Sequence, residues 1–290
     1  MGGSSQGAGN IIAGNKGAGV LVNSVTTPEP DSVTLTPVNN AILGNSILSN
    51  QSSVVDSIDY PGLGIDLAGT VLNQEYQVAS GINVGPTAND VADPDTGSNI
   101  YMNFPVLNSA LQKGTKVTMN LSLDAAGTTD AGGLYRVELF ANDSADPSGY
   151  GEGQTYLGYA MVANGENQEI NFTIPAGINL SGKALSATTT SLNSEITSGF
   201  GSSSELSLAT TNIRVIEQPS GLAITGQNII LFILATGSLV LAGLVVLYNS
   251  LVKSLPPGSS VPHNISLIIA RLQAKILQSL QYLYRIFGWR

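Results

Sequence analysis

The sequence contains no cysteine and only one histidine, His263, among its 290 residues. The lack of cysteine excludes disulfide bonds, iron–sulfur clusters, cysteine-ligated zinc and thiol catalysis. A single histidine argues against a Ser-His-Asp triad and against a metal site built from imidazoles. Enzymes that depend on a reactive thiol, an iron–sulfur cluster, a histidine-rich metal site or a Ser-His-Asp triad are therefore excluded or disfavoured for this chain.

Charged residues are also scarce, at 11% of the chain, compared with about 25% in ordinary soluble domains. Their distribution is uneven. All 20 acidic residues lie at or before Glu217, whereas five basic residues and no acidic residue follow Gly226. The formal net charge of −9 and the sequence pI near 4.4 argue against a nucleic-acid partner.

A run without charge, IILFILATGSLVLAGLVVLY, occupies residues 229–248. Twenty helical residues span about 30 Å, which is the thickness of the hydrocarbon layer of a bilayer. The run therefore predicts one transmembrane helix, with a buried core helix as the alternative. Because basic residues follow it, the positive-inside rule places residues 249–290 in the cytoplasm and the acidic part outside the cell. The predicted location is the cell envelope.

The C-terminal tail has a helical pattern of its own. Between Ile265 and Trp289, apolar residues recur three or four positions apart, and Arg271, Lys275 and Arg285 lie largely off that stripe. This pattern predicts an amphipathic basic helix that lies on membrane lipid. Packing against a partner helix is the alternative.

Short apolar triplets bounded by glycine and asparagine recur near the N-terminus, as GNIIAGN at residues 9–15 and AILGNSILSN at residues 41–50. Such triplets are typical of a coiled β-solenoid in which asparagines of successive coils stack on one another. A disordered Gly/Ser linker is the alternative for residues 1–30. No secretory signal opens the chain, and we expect the solenoid to be truncated at its N-terminal edge.

Residues 104–217 contain segments in which apolar and polar residues mostly alternate between turn-forming residues. This period of two predicts half-buried strands of an antiparallel β-sandwich. The predicted strands are residues 116–123, 135–141, 155–163, 169–174, 184–191 and 205–216.

Three stretches resemble bacterial cell-surface proteins with right-handed parallel β-helix repeats. They are AILGNSILSN with GLGIDL (41–50 and 62–67), PTANDVADPDTGSN leading into NFPVL (86–99 and 103–107), and YRVELFANDSADPSGYGEGQTYLG (135–158). The resemblance implies a mainly β fold: terminal β-helix coils in residues 1–85, an acidic linker in 86–103 and an immunoglobulin-like β-sandwich in 104–217. The segment 51–61 departs from the family pattern as a longer loop between two coils.

The linker at residues 218–228 contains the motif Leu222, Ala223, Ile224, Thr225, Gly226. Followed by an apolar run and basic residues, it resembles the Leu-Pro-x-Thr-Gly sorting signal of Gram-positive surface proteins in an alanine variant. The resemblance implies a sortase as partner, whose thiolate attacks the carbonyl of Thr225 and transfers the ectodomain to a wall amine. The alanine and the long tail are departures from the usual signal.

Two acidic loops have the oxygen-rich composition that calcium prefers. The first loop, at residues 89–99, offers Asp90, Asp93, Asp95 and Asn99. The second loop, at residues 142–152, offers Asn142, Asp143, Asp146 and Glu152. Ordinary solvated turns are the alternative for both loops, because Asp and Asn before Pro and Gly form turns readily. No other cofactor is expected.

Catalytic candidates are few. The carboxylates on the predicted terminal coil are Asp56, Asp59, Asp66 and Glu75, with no basic partner among them. A paired-carboxylate glycosidase needs two such groups on a rigid cleft. We therefore expect a non-enzymatic surface protein that binds an extracellular glycan or protein. A C-terminal part of a carbohydrate-active β-helix enzyme and a purely structural stalk are the alternatives.

Overall fold

The computed structural model describes residues 1–3, 5, 7–26, 30, 33–55, 58–72, 85–127, 132–216, 246, 249–250, 252–254, 265, 267–268, 270–272, 274–275 and 278. The chain divides into two compact units, Met1–Gln218 and Pro219–Arg290. In the first unit the described elements are almost all strands, so the prediction of a mainly β fold is confirmed.

The strands of the described residues are β1 (Ile11–Ala13), β2 (Val20–Thr26), β3 (Thr34–Leu35), β4 (Ser46–Leu48), β5 (Ser53–Val55), β6 (Ile58–Tyr60), β7 (Ile65–Leu72), β8 (Val106–Lys113), β9 (Lys116–Leu123), β10 (Leu134–Asn142), β11 (Thr155–Ala163), β12 (Gly165–Thr173), β13 (Ala184–Leu192), β14 (Phe200–Ser203) and β15 (Ile213–Ile216). A tight turn at Ser98–Tyr101 precedes β8. Asn99 and Ile100 in this turn have left-handed φ angles of 49° and 57°.

Strands β8 to β15 form two four-stranded sheets that enclose one hydrophobic core. One sheet has the order β11-β10-β13-β14 and the other β12-β9-β8-β15. The alternation in β9 directs Val117, Met119 and Leu121 inward, where they meet Val137 and Leu139 of β10. Side chains of a strand point alternately to its two faces, so the period of two in the sequence places one face of β9 in the core.

Of the predicted strand at residues 205–216, only the last four residues, Ile213–Ile216, form a strand. The chain forms β14 before this segment and β15 at its end, with irregular backbone between them. The hydroxyl of Ser204 accepts a hydrogen bond from the Thr189 N–H at 2.9 Å, and that of Ser207 accepts one from the Ala187 N–H at 3.0 Å. Side-chain hydroxyls thus replace part of the ladder that a regular strand would supply.

Strand β8, which the alternation did not predict, makes the sandwich a mixed rather than a purely antiparallel one. It pairs antiparallel with β9 and parallel with β15. Its register shifts between Leu107 and Ser109, and the buried positions beyond this irregularity are Ala110 and Gln112. The shift interrupts the period of two and hides the strand from a search for strict alternation.

Residues 1–72 form parallel pairs between segments far apart in the chain. Strand β1 pairs with β4, with Ile11 opposite Ser46, and β2 pairs with β7, with Val20 opposite Ile65. The predicted stacking of asparagines is present in two places, each joining residues 35 positions apart. Asn10 Nδ2 donates to Asn45 Oδ1 at 3.0 Å and Asn15 Nδ2 donates to Asn50 Oδ1 at 2.8 Å.

The predicted insertion between coils forms a hairpin. Strands β5 and β6 pair antiparallel, with Ser53 opposite Tyr60. The hairpin lies between Gln51, which bridges Lys16, and Ile65, which pairs with Val20. The extra residues are therefore accommodated outside the parallel pairing on either side of them.

The parallel segments pack on the β10–β13 sheet through a small core of their own. Val22, Ile47 and Leu67 are buried there against Phe140 of β10 and Leu206. The two four-stranded sheets and the parallel segments thus belong to one compact unit. The acidic loops and several buried carboxylates lie where the parallel segments meet the sheets.

In the second unit, the residues described between 265 and 278 are helical, in agreement with the predicted tail helix at those positions. Ile268 and Leu272, both on the predicted apolar stripe, are exposed. Within the part of the chain that is described, no helix has the length and apolar character needed to cross a bilayer. The predicted span at 229–248 lies outside the described residues except for Val246.

Candidate functional site

The first acidic loop is held in place by amide side chains. Asn103 accepts a hydrogen bond from the Asp90 N–H at 3.1 Å and donates to the carbonyl oxygens of Asp90 and Asp124 at 2.8 and 2.6 Å. Asn89 and Phe104 exchange a second pair of hydrogen bonds. These hydrogen bonds join the start of the loop to the segments that precede β8 and follow β9.

Asp93 is the buried member of this loop, with 3% of its surface exposed. Its Oδ2 accepts a hydrogen bond from the Ala126 N–H at 2.6 Å. Its Oδ1 is buried without a hydrogen-bond partner among the described residues, and so is Oδ1 of Asp90. Burial, aided by the charges of Asp90 and Asp95, raises the pKa of Asp93 to about 6.

Asn99, the fourth predicted ligand of this loop, is engaged in hydrogen bonds with other segments of the chain. Its Oδ1 accepts from the N–H and the Nδ2 of Asn40, at 3.0 and 3.2 Å. Its Nδ2 donates to the carbonyl oxygens of Asn40 and Ser203 at 2.8 and 2.9 Å. The amide is completely hydrogen-bonded and fastens the Ser98–Tyr101 turn to the neighbouring chain segments.

The oxygens of the second acidic loop are engaged in hydrogen bonds. Glu152 accepts from the N–H groups of Ser49 and Asn50 at 2.7 and 2.8 Å. Asp143 forms an exposed ion pair with Lys183 at 2.5 Å, and Asp146 accepts from the Ser148 N–H at 2.8 Å. These contacts are those of a turn and of a backbone anchor, and they favour the alternative of an ordinary turn for this loop.

Two further glutamates anchor the backbone of the N-terminal segments. Glu138 Oε2 accepts from the Gly44 N–H at 2.8 Å, and Glu205 accepts from the N–H groups of Leu67 and Thr87, each at 2.8 Å. Glu138 also forms a buried ion pair with Arg136 at 2.8 Å. Sequence reasoning missed both glutamates, because their partners lie 94 to 138 residues away.

Asp66 is the one predicted catalytic candidate whose side chain is described. It is 1% exposed and its two oxygens accept from the Gly85 N–H, each at 3.3 Å. Burial raises its pKa to about 6 and that of Glu205 to about 8. Asp56, Glu75 and the side chain of Asp59 lie outside the described residues.

A groove of about 510 Å³ runs beside β2. Its lining combines aliphatic side chains with amides, among them Leu21, Val22, Asn23, Asn39 and Asn40. Leu21 is 45% exposed. Such a mixed surface offers apolar contact and amide hydrogen bonds to a ligand.

Among the described residues, no three acidic or histidine side chains converge closely enough to hold a metal ion by themselves. The sorting-type motif at residues 222–226 lies outside the described residues. No protein-family model matches the chain, and a search of curated proteins finds no significant similarity.

Proposed function

We propose that this chain is an envelope-anchored surface protein whose acidic β unit faces outward and binds an extracellular ligand without catalysing a reaction. The observation that carries this proposal is the order of charges along the chain. Twenty acidic residues precede Gly226, a 20-residue uncharged run follows, and only basic residues come after it. This order is typical of a single-pass protein with an outer ectodomain.

The architecture of the first unit supports a display role. The parallel pairs β1–β4 and β2–β7, with their asparagine contacts, fit the terminal coils of a right-handed parallel β-helix. The two facing sheets of residues 106–216 fit an immunoglobulin-like β-sandwich. Glutamates of the sandwich hold the backbone of the coils, so the unit can present a binding surface without rearranging.

The anchor is proposed from sequence. Residues 229–248 span the membrane, and the exposed apolar residues Ile268 and Leu272 of the tail helix contact lipid of the inner leaflet. Sortase is the proposed partner for the motif at 222–226. Cleavage after Thr225 would transfer the acidic unit to the cell wall, whereas an uncleaved chain would remain a single-pass membrane protein.

The groove beside β2 is the proposed ligand surface, because it combines apolar walls with amide donors and acceptors. Asp66, a predicted catalytic candidate, accepts hydrogen bonds from a backbone N–H group instead. The buried Glu205 likewise accepts from backbone N–H groups. This use of the buried acids favours binding over turnover.

The test is binding of the purified full-length chain to insoluble pectin, chitin, alginate and peptidoglycan, with release of sugar ends measured in parallel. We expect saturable binding to one of these polymers, without release. Leu21→Asp in the groove should weaken the binding, and Val106→Asp, at a strand position with 46% exposure, should not. No binding would favour a structural stalk, and release of sugar ends would favour the enzyme.

A further inference from the structure

Two carboxylate oxygens in the first acidic loop are buried without a hydrogen-bond partner among the described residues. They are Oδ1 of Asp90 and Oδ1 of Asp93. Every other buried carboxylate described above is met by a backbone N–H, an amide or a guanidinium. A buried carboxylate oxygen without a donor is strongly unfavourable unless a positive charge or a proton accompanies it.

In the part of the chain that the structure describes, no positively charged group acts on the Asp93 carboxyl. The charged groups that act on the Asp93 carboxyl are Asp90 and Asp95, both of which are acidic. Asp124 adds a further carboxylate on the facing segment, where its Oδ2 accepts from the Ala92 N–H at 2.8 Å. The loop thus concentrates negative charge around two oxygens that are withdrawn from water.

The backbone around them is fixed before any ligand arrives. The side chain of Asn103 accepts a hydrogen bond from the Asp90 N–H and donates one to the Asp90 carbonyl oxygen, and the Ala126 N–H donates to Oδ2 of Asp93. Ala92 and Asp93 have φ angles of 65° and 48°, in the left-handed region that non-glycine residues seldom adopt. A loop held in this way presents its free oxygens with little further loss of conformational freedom.

We propose that Asp90 and Asp93 bind a divalent cation of the calcium type through these two oxygens. Calcium accepts six to eight hard oxygen ligands in flexible geometry, so water and backbone carbonyls can complete a site that has two carboxylates. With so few charged ligands, the expected dissociation constant is in the range of extracellular calcium modules, about 0.1 to 1 mM. This inference is independent of the proposed binding function.

The experiment is calorimetric titration of calcium, and separately of magnesium, into the chelator-treated full-length chain at pH 7.5. We expect saturable calcium binding and a melting temperature that rises with calcium. Asp90→Asn and Asp93→Asn should each weaken the affinity at least tenfold. Asp146→Asn, which removes one charge from the other acidic loop, is the matched control and should leave the affinity unchanged.

Two results would overturn the proposal. The first is an absence of saturable calcium binding by the unmodified chain; a higher melting temperature of Asp93→Asn would then indicate that the buried oxygens hold a proton. The second is an equal loss of affinity in Asp146→Asn, which would show that the effect comes from general surface charge. Asp90→Asn, at the less buried position, provides the test if Asp93→Asn does not fold.

Discussion

Glutamate side chains act in this protein as acceptors for backbone groups of a distant segment. Glu138, Glu152 and Glu205 each accept N–H groups of residues 44–87. The N–H groups of a segment that packs on a sheet need acceptors, and side-chain carboxyl oxygens provide them. No local pattern in the sequence contains this information, since each pairing depends on how two remote segments meet.

The Arg136–Glu138 pair provides a prediction about single residues. Glu138 is 0% and Arg136 2% exposed, and the Arg136 guanidinium carbon lies 3.6 Å from the centre of the Tyr159 ring. Glu138→Ala leaves a buried guanidinium without its carboxylate and the Gly44 N–H without its acceptor. We expect the free energy of unfolding, measured by denaturant titration, to fall by about 3 to 5 kcal/mol.

The matched control is the exposed ion pair of Asp143 and Lys183. Asp143→Ala removes a carboxylate in contact with a cation, but solvent screens that contact. The denaturation midpoint of this variant should stay close to that of the unmodified chain. Equal shifts in the two variants would contradict the role assigned to burial.

Candidate ligands were only partly predictable from sequence. Asp90 and Asp93 each have a buried Oδ1 without a hydrogen-bond partner among the described residues, in a loop that the sequence shows to be rich in oxygens. Asn99 is in the same stretch of sequence, yet its amide is used by Asn40 and Ser203. Composition predicts that a loop is rich in oxygens, but only the fold determines which of them remain available.

At the scale of elements, short sequence patterns predicted correctly the features that depend on neighbouring residues. The bounds of β9 and β11 match the predicted strands. In β9 every second residue is buried, whereas β11 was predicted correctly although an irregularity near Gly158 interrupts its alternation. The Gly-Asn triplets predicted the stacking of Asn10 on Asn45 and of Asn15 on Asn50. Such patterns predicted neither the register irregularity of β8 nor the inward hydroxyls of residues 204–207.

The contact between β7 and the segment after β14 predicts a pH dependence. Burial raises the pKa of Glu205 from 4.5 to about 8, and the charge of Asp66 adds to this rise. Between these two pH values the folded chain keeps a proton that the unfolded chain has released. The free energy of unfolding must therefore fall as pH rises through this window, at most by about 1.4 kcal/mol per pH unit for one group.

The measurement is the melting temperature of the first unit in the full-length chain between pH 5 and 8.5. We expect a decline toward high pH that is smaller in Glu205→Gln, which has no charge to acquire, even if that variant melts lower throughout. Glu169→Gln, an exposed position on β12, should retain the full decline. The same pH dependence in Glu205→Gln as in the unmodified chain would refute the assignment.

For the whole molecule, the sequence is most informative about charge and hydropathy. The division at Gly226 is visible without any structure, because it depends on counts along the chain. How residues 1–72 meet the two sheets was not predictable, since it depends on long-range pairs such as Leu67 with Glu205. The proposal of an outward acidic unit and an inward tail therefore depends on the sequence, and orientation is its central claim.

Because the chain has no cysteine, single introduced cysteines report this orientation without background. Ser144→Cys places a thiol in an exposed turn of the acidic unit, and Ser279→Cys places one in the C-terminal tail. A membrane-impermeant maleimide applied to intact cells should label Ser144→Cys at once and Ser279→Cys only after permeabilisation. Labelling of Ser279→Cys in intact cells, with Ser144→Cys protected, would contradict the proposed arrangement.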